Sequence, residues 1–222
     1  KGLANQLWVY VTLRSIAAKL KIDYEARSKS QFIGKEFLNL SFSSSDINYS
    51  EKLKPHYFNE KIFYDKELNN YACDYDEEIY KVKPNTLING LFQSEKYLFP
   101  NIESINNYIS IRKEYTNYHK LDTNTCVIYI RGGEYKRHKD LILPEKYWYD
   151  AIDNMKKINP NLRFVIVSDD DRYSSIILPG IEILKGNMAT DFSALYNAKY
   201  AIIANSSWGY FPLKMGQSPK YV

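Results

Sequence analysis

Three short, unbroken apolar runs stand out in the second half of the chain: CVIYI (Cys126–Ile130), RFVIV (Arg163–Val167) and YAIIA (Tyr200–Ala204). Continuous β-branched runs of this length, without polar alternation, predict strands covered on both faces. Between them lie PEKYWYDAIDNMKKI (144–158) and TDFSALYNA (190–198), both with helical spacing. Strand alternating with helix predicts parallel βαβ units and an α/β fold.

The first half is patterned differently. NQLWVYVTLRSIAAKL (5–20) has no proline or internal glycine and is apolar on most sides, which predicts a buried helix starting just after Gly2. KIDYEA (21–26) then predicts a short strand. From Phe32 to about Tyr118 the chain is rich in Tyr, Asn, Ser and Lys with weak periodicity, and short helices and loops held by aromatic packing are expected. Within it IESINNYISIRKEY (102–115) has helical spacing. The pattern changes near residues 118–124, which predicts two domains, 1–120 and 121–222. The chain opens at Lys1 inside a motif and stops after SPKYV, which reads as the beginning of another strand; both ends read as trimmed.

Composition narrows the function classes. The chain has 222 residues and a net charge of +4, without the basic stripe of a nucleic-acid binder, so nucleic acid is not an expected partner. An anionic small ligand, or peripheral contact with an acidic membrane surface, suits this charge. Cys73 and Cys126 lie far apart with no CxxC partner; no metal site or disulfide framework is expected, and a reducing, cytoplasmic setting is. No apolar run is long enough to span a bilayer. GxxxxGK[ST], GxGxxG, zincin spacing and GxSxG are all missing, which argues against ATPases, nicotinamide enzymes, zinc proteases and serine hydrolases.

The candidate chemistry falls where strands end. RGGEY (131–135), SDDD (168–171) and NSSWG (205–209) each follow an apolar run, and GLANQ (2–6) opens the first helix. In open parallel sheets ligands bind beyond the carboxyl ends of the strands. Arg131 offers a fixed cation with a fork of donors suited to phosphate. Gly132 and Gly133 allow close backbone approach. Ser206 and Ser207, and Gly2 and Asn5, stand at helix starts whose N–H groups attract anions. Together they predict a diphosphate cradle. Each cluster also has an ordinary reading: SDDD as a capped turn, Asp191 as a helix cap, His138 as a surface histidine.

The same blocks resemble the α-1,2-fucosyltransferase family. GLANQLWVYVTLRSIA resembles its GLGNQ(M/L)FQYA opening, INGLFQSEKYLFPNIESI its GYFQSEKYF segment and VIYIRGGEY its VHIRRGDY. FVIVSDDD and TDFSALYNAKYAIIANSSWG are similar to its F.IFSDD and D…LMS.CKH.IIANSSFSWWG blocks. The resemblance implies a GT-B fold of two facing Rossmann-like domains with a cleft between them. The N-terminal domain would be on the acceptor side, helical, loop-rich and incompletely Rossmann-like; the C-terminal one would bind the nucleotide sugar. It implies metal-independent, inverting transfer of L-fucose from GDP-fucose to a glycan hydroxyl such as a galactoside 2-OH, without a cofactor.

By resemblance Arg131 neutralises the pyrophosphate, Ser206 and Ser207 contact phosphate, and Asp191 stands near guanine. Asp169 and Asp170 border the nucleoside pocket, while Gly2, Asn5 and Gln6 close over the diphosphate. Glu134 is the expected base, and Gln93 and His138 the acceptor contacts. The sequence departs from the pattern at Tyr129 (histidine in the family), Gly132 (second arginine), Glu134 (aspartate), Ala4 (middle glycine), Asn106 (arginine) and WGYFPL. Another nucleotide-sugar donor, or a non-catalytic descendant that only binds one, are the alternative readings.

Overall fold

The computed structural model of the protein describes residues 2–27, 29–44, 54–67 and 70–216; the SPKYV ending lies outside them. The chain divides into two compact units between Ser110 and Ile111, earlier than the composition change at 118–124.

In the N-terminal unit, α1 (Leu3–Leu20) is buried almost all round, with Leu3, Leu7, Trp8, Tyr10, Val11 and Ile16 among its covered side chains. It ends where Lys21 turns left-handed at φ 54° and its N–H reaches the Ala17 carbonyl. KIDYEA forms no strand among the described residues: Glu25 makes an isolated bridge to Ser43. Beyond β1 (Leu38–Asn39), the strands are β2 (His56–Asn59), β3 (Ile62–Asp65), β4 (Asn70–Cys73) and β5 (Thr86–Asn89). β2 pairs β5 in parallel and β3 pairs β4 antiparallel, each as a two-stranded piece rather than part of an open Rossmann-like sheet. Ile16, Ile79, Phe92 and Tyr97 form a buried cluster of this unit. The helix expected over 102–115 is broken into a 3-10 turn (Ile102–Ser104), α2 (Ile105–Tyr108), β6 (Ser110–Ile111) and a second 3-10 turn (Lys113–Tyr115).

The C-terminal unit is the parallel α/β sheet that the apolar runs predict. Its elements are β7 (Thr125–Ile130), α3 (Glu145–Ile158), β8 (Arg163–Ser168), α4 (Asp171–Ile177), β9 (Glu182–Ile183), α5 (Met188–Asn197), β10 (Tyr200–Ile203) and α6 (Ser207–Met215). The strands are all parallel, in the order β10-β7-β8-β9. All six residues of β7 are buried, because β7 is flanked by strands on both edges and covered on both faces. On α3, Trp148, Ile152 and Met155 recur at helical spacing and join that core. Two elements had no warning in the apolar pattern: the seven-residue α4 and the two-residue β9.

The order of the strands locates the site. The chain steps from β7 to β8 to β9 in one direction, then returns through α5 to β10 on the far side of β7. The order therefore reverses between β7 and β10, and in open parallel sheets it is beyond the carboxyl ends of such a pair that ligands bind. Arg131 follows β7, and Ser206 caps the helix that follows β10.

The central position of β7 makes its aliphatic side chains the most costly to truncate. Ile128→Ala, at a fully buried site, is expected to destabilise the chain by about 2–5 kcal/mol in urea unfolding; a cost below ~1 kcal/mol would contradict a core centred on β7.

Candidate functional site

Arg131 leaves the end of β7 between two carboxylates. Its Nη1 lies 2.8 Å from Asp169 Oδ2, and its Nη2 donates to Glu134 Oε1 at 2.9 Å. The arginine side chain is 24 % exposed and that of Glu134 68 %, so the Asp169 pair is the better shielded of the two. Burial works against the charge, but Tyr129, Asp169 and Glu134 outweigh it and hold the guanidinium pKa above its ordinary value.

The two glycines serve this clamp. Asp169 Oδ1 accepts the Gly132 N–H at 2.9 Å. A Cβ at Gly132 would stand 2.8 Å from the Tyr173 ring and 2.9 Å from Asp170 Cβ, and one at Gly133 would fall on the Asp169 carboxylate. The second arginine of the resembling motif has no room at 132. RGG is thus the sequence that lets a carboxylate from the next strand press against the turn and aim the preceding arginine.

Asp170 has a different task. It caps α4 by accepting the Tyr173 N–H at 2.9 Å, and its other oxygen pairs with Lys136. The Lys136 and Tyr173 hydrogen bonds hold its pKa below the usual carboxylate value. The carboxylates of Asp169 and Asp170 are therefore engaged within the chain.

Tyr129, read from the sequence only as a departure, belongs to the site. Its ring packs 4.8 Å from that of Trp208, and its register partner is Ile203 of β10. Gly209 lets α6 come this close, since a Cβ there would stand 3.0 Å from Tyr129 Cδ1. Burial pushes the phenol pKa up to about 12, while Ser206 and Arg131 act in the opposite sense. The hydroxyl is buried and in hydrogen-bond geometry with neither, and Arg131 Nε is buried and unpaired as well. Two buried polar atoms without partners among the described residues are costly unless something else meets them.

α6 supplies the other side. Ser206 caps it, its Oγ accepting the Trp208 N–H at 3.4 Å. Ser207 is the first helical residue, so its N–H has no carbonyl within the helix to meet. Asp191 lies in the first turn of α5 and is not its cap. Asn187 is, in a capping box with Thr190. Burial, reinforced by the charge of Asp171, raises the Asp191 carboxyl to about 7. His138 is exposed after the 3-10 turn Glu134–Arg137. In the C-terminal unit the structure thus brings together Tyr129, Arg131, Glu134, Asp169 and Ser206.

Within the N-terminal unit Gly2 is the residue before α1, and a Cβ there would meet open space. Asn5 Oδ1 accepts from Gln93 Nε2 at 2.7 Å, which joins two sequence-predicted residues. Gln6 is committed to the fold: its amide donates to the Gln31 carbonyl at 3.1 Å and accepts the Ile33 N–H at 2.9 Å. Buried Glu60 fixes the turn before Gln93 by accepting the N–H groups of Leu91 (2.7 Å) and Phe92 (2.9 Å). Its isolated position in HYFNEK gave no sequence signal. Among the described residues no group of three or more His, Cys, Asp or Glu is arranged to hold a metal ion, and no helix is long and apolar enough to cross a membrane.

The raised Asp191 pKa has a consequence for stability. Below pH 3.8 the carboxyl is protonated folded or unfolded and costs nothing. As pH rises from there toward about 7 only the unfolded chain ionises readily, so stability is lost across that window. Asp191→Asn is expected to raise Tm at pH 8 and leave it unchanged near pH 3.5. An equal shift at both pH values would contradict the burial of this carboxyl.

No protein-family model matches the chain. It is 29 % identical over 141 residues to an alpha-1,2-colitosyltransferase of Escherichia coli, a match covering 55 % of this chain and 48 % of that protein. The chain thus spans about half the length of the curated relative it matches. Among solved structures it is similar to POFUT1 in complex with GDP, at 14 % identity and a TM-score of 0.45, over 66 % of this chain and 55 % of that one. POFUT1 in complex with GDP-fucose matches at 13 % identity and the same TM-score of 0.45, over 61 % and 53 %.

Proposed function

We propose that the chain is part of a glycosyltransferase that takes its sugar from a GDP-sugar, with the leaving diphosphate held at the β7–β10 switch point. The observation that carries this reading is that two polar atoms at the end of β7, Arg131 Nε and the hydroxyl of Tyr129, whose ring packs on α6, are buried and without a partner among the described residues. The named function of the relative, a colitosyltransferase, supports the same class.

Breaking an anomeric C–O bond places negative charge on the departing diphosphate, and preorganised donors stabilise that charge more in the transition state than before it. Arg131 supplies a permanent cation whose Nη atoms are already aimed by Asp169 and Glu134. Tyr129 stays protonated at neutral pH, with a pKa of about 12, and so donates rather than repels. The Ser207 N–H and hydroxyl complete the donor set in this reading, which needs no metal ion. Asp191 faces the base, its carboxylate suited to the paired N–H donors of guanine. Transfer is inverting, with Glu134 as the base that takes the acceptor proton.

Two donors fit this chemistry. GDP-fucose follows from the sequence resemblance to α-1,2-fucosyltransferases. A GDP-sugar carrying colitose is favoured by the name of the relative. A glycan hydroxyl is the acceptor in both, and work at the cytoplasmic face of a membrane would suit the basic net charge.

Calorimetric titration with GDP, UDP and dTDP tests the donor class. GDP is expected to bind at least tenfold more tightly than the others, with affinity rising as pH passes through about 7 and Asp191 ionises. Equal affinity for the three would overturn the guanine assignment. Glu134→Gln is expected to strengthen GDP binding, because it removes a charge that neutralises Arg131, and to lower turnover about a hundredfold. Undiminished turnover would make Glu134 a positioning residue.

A further inference from the structure

A second arginine, in the N-terminal unit, lines a pocket of its own. Arg14 projects from α1 among three tyrosine rings, its Cζ 4.7 Å from the ring centroid of Tyr24, 5.2 Å from Tyr108 and 5.8 Å from Tyr10. Its Nη1 donates to Tyr10 Oη at 2.8 Å. Tyr10 is itself buried, and the Ser41 N–H donates to its oxygen at 2.9 Å. The guanidinium is therefore held by its rings and by one N–H. Among the described residues no carboxylate pairs with it.

What it faces is a pocket of about 360 Å³, within the size range of small-molecule sites. Its polar walls are Asn39, Ser41, Asn106, Asn107, Tyr108 and Ser110, beside an apolar part formed by Leu40 and Ile109, with no acidic side chain among the lining residues. The cation–π contacts and the Tyr10 hydrogen bond explain why the arginine stays in place. They do not explain why three asparagines and two serines line the pocket beside it. Amides both donate and accept, as sugar hydroxyls require, and a guanidinium edge pairs with an oxyanion.

We propose that this pocket binds an acidic sugar: a saccharide unit carrying a carboxylate or phosphate, with the anion on Arg14 and its hydroxyls on the asparagines. The site lies wholly in the N-terminal unit and does not depend on the transferase reading. Where that reading holds, the pocket would give the enzyme a preference for acidic glycans.

Calorimetry with glucuronate, galactose 6-phosphate, inorganic phosphate and galactose tests it. The two acidic sugars are expected to bind more tightly than inorganic phosphate, and galactose least, with affinity falling as salt is raised. Arg14→Gln is expected to weaken the acidic sugars at least tenfold and leave GDP binding unchanged. Should Arg14→Gln fail to fold, Asn106→Leu, on the exposed wall, is expected to lower the same affinities. No binding of either acidic sugar, inorganic phosphate binding as tightly as they do, or affinities unmoved by these substitutions would overturn the proposal. Loss of GDP binding in the unaltered protein would instead count against the transferase reading alone.

Discussion

The site turns on one ion pair, Arg131 with Asp169. Asp169 reaches from the end of β8 to the end of β7, takes the Gly132 N–H on one oxygen and holds Arg131 on the other. This is a partly shielded pair at the carboxyl end of the sheet, whose value lies in direction more than in stability. It freezes a long, flexible side chain before any ligand arrives, and rotamer freedom already lost need not be lost on binding. Tyr129, Ser206 and Glu134 then acquire their meaning from where that guanidinium points.

On the proposed reading, two acidic groups beside the cation need not defeat a diphosphate site. Asp169 uses one Nη and Glu134 the other, while Nε has no partner among the described residues. Glu134 sits on an exposed turn and is the partner that a diphosphate could displace. Asp169 is wedged against glycines and is not.

Much of the C-terminal unit was legible in the sequence because a sheet covered on both faces writes itself as unbroken apolar runs. The same coverage hid Tyr129, since a strand without alternation does not say which of its side chains packs toward the start of α6. α4 and β9 were invisible for want of length. Ile105, Ile109 and Ile111 show why the segment over 102–115 misled: the first two are spaced for a helix, the last two for a strand, and all three are buried. In KIDYEA the buried Tyr24 between exposed neighbours mimics a strand, but among the described residues a single bridge from Glu25 to Ser43 is all the segment forms. Arg131 and Glu134 were found as charges after an apolar run. Their partner Asp169, read as a nucleoside contact, could be recognised as the orienting group only once β7 and β8 were in register.

The most direct test of this account is the affinity for GDP of Asp169→Asn beside that of Arg131→Lys, measured by calorimetry at matched ionic strength with folding checked by circular dichroism. If a directed guanidinium is what holds the diphosphate, both folded proteins lose at least tenfold, Asp169→Asn by misaiming the cation and Arg131→Lys by replacing its fork with a point charge. Wild-type affinity in both would contradict it.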